Sequence, residues 1–243
     1  MNHSRRLRDK IRLARNELDS VAAALWSHPR LPEIYPEFLF RNHAVIRASV
    51  PLMEAATECC QSRMASDLLA AGMFRYLTHH IPEEMHHDDW VLEDLEVLGV
   101  CRRKVLMRIP PPAVAALVGT QYYWIRHFHP VALLGFIAVL EGTPPSVEYF
   151  EGIAERTGIP RKAFSNLLRH GMLDPRHRDD LDRALDELPL TEDHHALLGI
   201  SAFQTIHLLT RVVEDILDSH PGRDFLNTEN ANDWQNDIPL SYP

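Results

Sequence analysis

Apolar residues recur along the chain at steps of three and four, and clean alternation over the length of a strand is hard to find. The pattern predicts an all-α fold. A first helix is expected over 5–27, with Leu7, Ile11, Ala14, Leu18, Ala22 and Leu25 on one stripe before HPRLP breaks it. Further helices are expected over 34–60, 62–80, 82–99, 110–141, 146–157, 160–170, 175–187 and 191–219. Pro51 and Pro130 fall inside two of these and should kink or divide them, because proline lacks the backbone donor and clashes with the preceding turn. Turn residues mark the joints at EGTPPS (141–146), TGIP (157–160) and LPLTED (188–193). Thr191 is a candidate N-cap, with acidic residues following in the first turn.

None of these joints is long enough to be a linker, and 243 residues suffice to bury one substantial core. Residues 1–220 are therefore expected to form a single domain. The last stretch, 221–243, loses helical periodicity and is rich in Asn and Asp, which reads as a C-terminal tail with Trp234 as its candidate anchor.

Composition narrows the function class. Hydrophobic residues at 45% and charged residues at 24% are the balance of a globular protein. A net charge of -9 without same-sign blocks argues against a nucleic-acid partner and for a small-molecule substrate. The three cysteines, Cys59, Cys60 and Cys101, offer neither a disulfide framework nor a Cys-based zinc site. No uninterrupted apolar run of about 18 residues is present, so no membrane role is expected, and a cytoplasmic location is. The number that stands out is 15 histidines, several beside carboxylates.

Three constellations concentrate them. In HHIPEEMHHDDWVLEDLEVLG (79–99), Glu84 and His87 are three apart, which on one helix would place carboxylate and imidazole on neighbouring turns. In HGMLDPRH (170–177), His170, Asp174 and His177 lie at i, i+4 and i+7, within about 60° of one another on a continuous helix. Pro175 argues for a break, with Asp174 as N-cap of a new helix, while Gly171 would relieve part of the proline's clash. Glu141 closes the apolar run of HFHPVALLGFIAVLEG (127–142) and is either turned to water or a buried ligand. Three carboxylates and three histidines are a donor set suited to iron.

These residues resemble a known family, the heme-oxygenase-like non-heme di-iron oxidases and oxygenases, whose fold is shared with heme oxygenase and thiaminase-type proteins. The resemblance covers the chain from the first helix to about residue 219 and rests on EEMHHDDWVLEDLEVLG, ALLGFIAVLEG and HGMLDPRHRDDL. It implies a helical bundle of about seven to ten helices and two ferrous ions on Glu84, His87, Glu141, His170, Asp174 and His177. Within EEMHH, Glu83 and His86 stay open as alternatives, and His80 stands where some relatives carry the first carboxylate. The implied activity is oxidation of a small molecule with dioxygen as co-substrate and an external reductant; amino acids, amines and fatty acids are the substrates implied, an amino acid or amine first. N-oxygenation, desaturation and oxidative C–C cleavage are the outcomes implied, and a homodimer is possible.

Beyond the metal set, Arg211 and His207 on the last long helix, and Tyr123, Arg126 and His127 in QYYWIRHFHP, are candidates for substrate contacts; an Arg would clamp a carboxylate. Three rival readings remain. A ferritin-like set would use Glu54, Glu84, His87, Glu141, Glu192 and His195. A metal-free, thiaminase-like hydrolase would use Cys59 or Cys60 as nucleophile. A non-catalytic protein would store or sense iron, or bind a ligand.

Overall fold

A computed structural model describes residues 2–142 and 145–219; the expected tail and Trp234 lie outside these residues. Every regular element among the described residues is helical. The expected first helix bends at Arg15 into α1 (His3–Ala14) and α2 (Asn16–Trp26), and its stripe turns Leu7, Ile11 and Leu25 fully inward. The expected 34–60 helix divides into α3 (Leu31–Ile46) and α4 (Ser49–Arg63). Pro51 falls in the first turn of α4, where a missing backbone donor costs nothing. Next come α5 (Ala70–Glu84), α6 (His87–Val97) and the short α7 (Arg102–Met107), which the periodicity did not mark. Pro130 separates α8 (Pro112–His127) from α9 (Ala132–Leu140).

α10 (Val147–Thr157) is capped by Ser146, whose hydroxyl accepts from the Tyr149 backbone N–H. A 3-10 turn at Arg161–Phe164 then leads into α11 (Ser165–Glu187), which corrects the expected break before Pro175: the helix runs through the proline. Gly171, one turn earlier, is the residue whose backbone carbonyl the proline ring faces. Gly171 also abuts the chain before α10, since a Cβ there would lie 3.3 Å from the Pro145 carbonyl oxygen. Last is α12 (Glu192–Leu217), started by a capping box in which Thr191 and His194 satisfy each other's backbone N–H groups.

α9 is the centre of the bundle, with residues from Ala132 to Ala138 all buried, and α12 lies against it. Gly135 permits that contact: a Cβ there would fall 2.5 Å from the Leu198 carbonyl oxygen and 3.1 Å from the Ser201 Cβ. By length and composition α12 could cross a membrane, but half of its apolar window is buried against the rest of the bundle. α1 is pinned across the end of the bundle by Arg8 on Asp182, Ser4 on Asp186 and Arg6 on Glu192. These contacts place α5, α9 and α11 side by side, and the candidate chemistry lies between them.

Candidate metal centre

Three helices deliver side chains to one buried point. α5 contributes His80 and Glu84 at i and i+4, one face of its last turns. α9 contributes Glu141, its C-cap residue. α11 contributes His177, and a ligand atom from each of His80, Glu84, Glu141 and His177 lies within 4.8 Å of the other three. His80 Nε2 is 3.1 Å from Glu141 Oε1, and His177 Nδ1 is 3.3 Å from Glu84 Oε1 and 4.0 Å from Glu141 Oε2.

A second group adjoins through Glu84. His87 Nδ1 lies 3.1 Å from Glu84 Oε2, and His170 Nδ1 is 3.1 Å from Asp174 Oδ1. The His87 and His170 rings meet edge to face at 4.9 Å between centroids, and Trp90 stacks on His87 at 3.9 Å. Glu84 thus stands between the two groups, with Oε1 toward His177 and Oε2 toward His87.

One local expectation is corrected here. Glu84 and His87 do not share a helix: Glu84 ends α5, Met85 is extended, His86 adopts a left-handed backbone at φ 69°, and His87 opens α6. The imidazole and carboxylate approach around a turn rather than along a helix face. Pro82, near the end of α5, cannot donate to its ladder, which weakens that last turn. His86 is the sole non-glycine residue with positive φ among those described, and such strain concentrates at functional sites.

The electrostatics follow from burying carboxylates and imidazoles side by side. Burial drives the Glu141 carboxyl upward, against the hydrogen bond from His80. Burial would lower His80, but Glu141, Glu84 and Glu83 outweigh it and raise the imidazole to about 9. His177 is lowered by burial, and His170 is raised because Asp174 overcomes its burial. Four atoms in the two groups are buried without a hydrogen-bond partner: Glu84 Oε1, Glu141 Oε2, His170 Nε2 and His177 Nδ1. Orphaned polar atoms in a low-dielectric interior are costly, and the convergence of Glu84, Glu141 and His177, each carrying one, with His80 fits a cation.

The six carried-over residues, Glu84, His87, Glu141, His170, Asp174 and His177, all lie in these two groups. His80, which the motif left as an alternative, completes the tighter one. Glu83 instead sits at the rim on Arg176, and His86 is exposed beside Asp89. A cavity of about 200 Å³ opens onto Glu84, Glu141, His170 and Asp174, with Val45, Ile46, Leu140, Phe150 and Leu167 among its walls.

The five candidates for substrate contact are elsewhere. Tyr123, Arg126, His127, His207 and Arg211 are exposed on α8 and α12, and none of them lines this cavity. Arg126 pairs with Glu58 and Arg211 with Glu214. The ferritin-like set is not assembled either: Glu54 is exposed, Glu192 is held by Arg6, and His195 bonds His3.

Residues 52–206 match the family described as iron-containing redox enzymes. The chain belongs to that family. Among solved structures it is similar to a domain of unknown function with a heme oxygenase-like fold from Shewanella denitrificans, with a TM-score of 0.69 at 16% identity over 86% of this chain and 87% of the other. It is also similar to a TenA homolog from Pseudomonas syringae pv. tomato, with a TM-score of 0.63 at 14% identity over 86% of this chain and 92% of the other. At those identities the likeness concerns the fold, which is heme oxygenase-like and all-α. No curated protein matches the chain.

Proposed function

We propose that the protein is a non-heme di-iron oxidase or oxygenase that uses dioxygen to oxidise a small molecule, an amino acid or amine, by N-oxygenation, desaturation or oxidative C–C cleavage. The observation that carries this reading is the convergence of ligand atoms from His80, Glu84, Glu141 and His177 within 4.8 Å of one another, three of them on residues with partnerless buried atoms, in a chain of an iron-containing redox family. His80, Glu84, Glu141 and His177 would hold one ferrous ion; Glu84, His87, His170 and Asp174 would hold the other. Bound iron would supply the reactivity toward dioxygen that no side chain has.

The chain's own residues do the rest. Glu84 presents one oxygen to each group and so fixes their relative position. The His80–Glu141 pair holds a proton at Nε2 or Oε1, 3.1 Å apart, which must leave when a cation takes those lone pairs. Trp90 stacked on His87 sets that ring's orientation. Leu140, Phe150 and Leu167 give the cavity beside the carboxylates an apolar wall. The electrons for turnover come from an external reductant.

A metal-free hydrolase using Cys59 or Cys60 is a second reading, favoured by the TenA homolog's similar fold. The cysteines oppose it. Burial, then Cys59 and Asp67, push the Cys60 thiol up to about 12, the wrong direction for a nucleophile. The Cys59 thiol donates to the Ile125 carbonyl oxygen, and neither cysteine lines the cavity at the carboxylates.

Anaerobic ferrous titration, followed by mixing with oxygen under visible absorbance, tests the proposal. Near two irons per chain, lost in His170→Ala and Glu141→Ala, together with an oxygen-dependent absorbance change, is the expected result. No specific iron binding would overturn it, and loss of turnover in Cys59→Ala or Cys60→Ala would favour the hydrolase.

A further inference from the structure

The cavity beside the cluster contains a fully buried polar group that neither the iron ligands nor the fold employs. Asn166 is 1% exposed, its Oδ1 has no hydrogen-bond partner, and its side chain lines the cavity with His170 and Asp174. It is also built into place. The Asp94 carboxylate of α6 accepts the backbone N–H groups of Ser165 and Asn166 at 3.0 and 2.9 Å, tying down the first turn of α11. Along that helix Asn166, His170, Asp174 and His177 fall at i, i+4, i+8 and i+11, within about 80° of one another. The free amide therefore lies on the metal-facing stripe, one turn before its first histidine.

The rest of the lining says what such an amide would meet. Among the described residues the cavity has no Arg or Lys, so a carboxylate would find no guanidinium or ammonium there. It does have Glu84, Glu141 and Asp174, with Asn42 and Ser49 as further neutral polar groups and an apolar wall of Val45, Ile46 and Phe150. A volume of about 200 Å³ is the share of six or seven waters at roughly 30 Å³ each. An anion is disfavoured by that surface, and a donor is wanted by the orphaned oxygen.

We propose that Asn166 is a substrate-positioning residue whose Oδ1 accepts an N–H of a small alkylamine, with the amine's apolar tail against Val45, Ile46 and Phe150, and that the cavity discriminates against a carboxylate at this end. The inference rests on the di-iron reading in taking this cavity as the substrate chamber. It also departs from a carboxylate clamp by Arg211, which is exposed on α12.

The test uses three probes matched in size: hexylamine, hexan-1-ol and hexanoate. Their dissociation constants are measured at pH 7 by calorimetry on the full chain, before ferrous loading so that no probe can ligate iron. Hexylamine should bind at least about tenfold tighter than hexanoate, and Asn166→Leu should weaken hexylamine by about tenfold or more, the scale of a lost hydrogen bond to a charged donor. Asn166→Asp keeps the acceptor and should retain hexylamine binding while further weakening hexanoate. Hexanoate binding as tightly as hexylamine, no hexylamine binding, or an unchanged Asn166→Leu would each overturn the proposal. So would loss of binding in both variants with lowered melting temperatures, which would mark Asn166 as structural. Iron content is read separately: amine preference without iron binding sinks the di-iron reading alone, and iron binding without amine preference sinks this inference alone.

Discussion

Glu84 Oε1 and His177 Nδ1 face each other at 3.3 Å from α5 and α11, and neither has a hydrogen-bond partner. Two helices bring an acceptor-only carboxylate and an imidazole to near-contact without completing a bond, and Glu141 Oε2 beside them is in the same condition. Burial of unmatched lone pairs is tolerated where a cation completes them, so a bound cation should raise the melting temperature.

Glu141→Gln keeps the shape and one hydrogen bond to His80 while removing a buried charge. The metal-free variant should melt below the wild-type temperature, because the His80 imidazole raised by that carboxylate loses its charge partner, and its iron content should fall to half or less. Differential scanning fluorimetry and a colorimetric iron assay check both; an unchanged or raised melting temperature would show that the pair does not support the fold.

The His80 imidazole is raised from 6.5 to about 9 in the folded chain by the carboxylates around it, chiefly Glu141, which overcome its burial. A group raised on folding contributes stability that is fully present below pH 6.5 and is lost as pH rises through 9. Urea unfolding of metal-free protein should therefore show stability falling between those values, and His80→Gln should flatten that limb. Because a ligand imidazole must be neutral, ferrous binding at pH 7 should release a proton, seen as a buffer-dependent heat in calorimetry.

At the acid end the relevant group is His43, 1% exposed on α3, which burial lowers to about 4 despite Asp88 and Asp89. Its folded value lies below its unfolded one, so the stability it contributes is present above pH 6.5 and lost as pH falls through 4. His43→Leu should reduce the loss over that window. An acid limb identical to wild type would assign it to other groups.

His86 at φ 69° makes the turn that brings His87 to Glu84. His86→Val should cost about 1–2 kcal/mol, the penalty of a left-handed backbone for a residue with a bulky Cβ, and should lower iron content. His86→Asn should stay within about 0.5 kcal/mol and keep its iron, because Asn tolerates that region. Equal stability of the Val variant would mean that the turn relaxes without cost.

How much of this was legible in the sequence differs from element to element. The stripe from Leu7 to Leu25, the cap at Thr191 and the divisions near Pro51 and at Pro130 were readable because they depend on neighbours within a turn or two. The break expected at Pro175 did not occur, since the same residues permit either outcome and tertiary packing on both sides of α11 holds the helix straight through. α7 is too short for periodicity to reveal.

The site divides along the same line. The residue types for an iron site, the three motif segments and the closing position of Glu141 are written in local spacing, and with them the all-α class follows from the three-and-four period alone. Only the tertiary structure decided that His80 joins Glu84, Glu141 and His177, that the Glu84–His87 approach runs through a left-handed turn, and that Arg211, His207, Tyr123, Arg126 and His127 face solvent. Local spacing records which residues share a helix face; it carries no record of which faces meet, because that depends on how α5, α9 and α11 pack, with contacts such as Gly135 against α12 setting the distances.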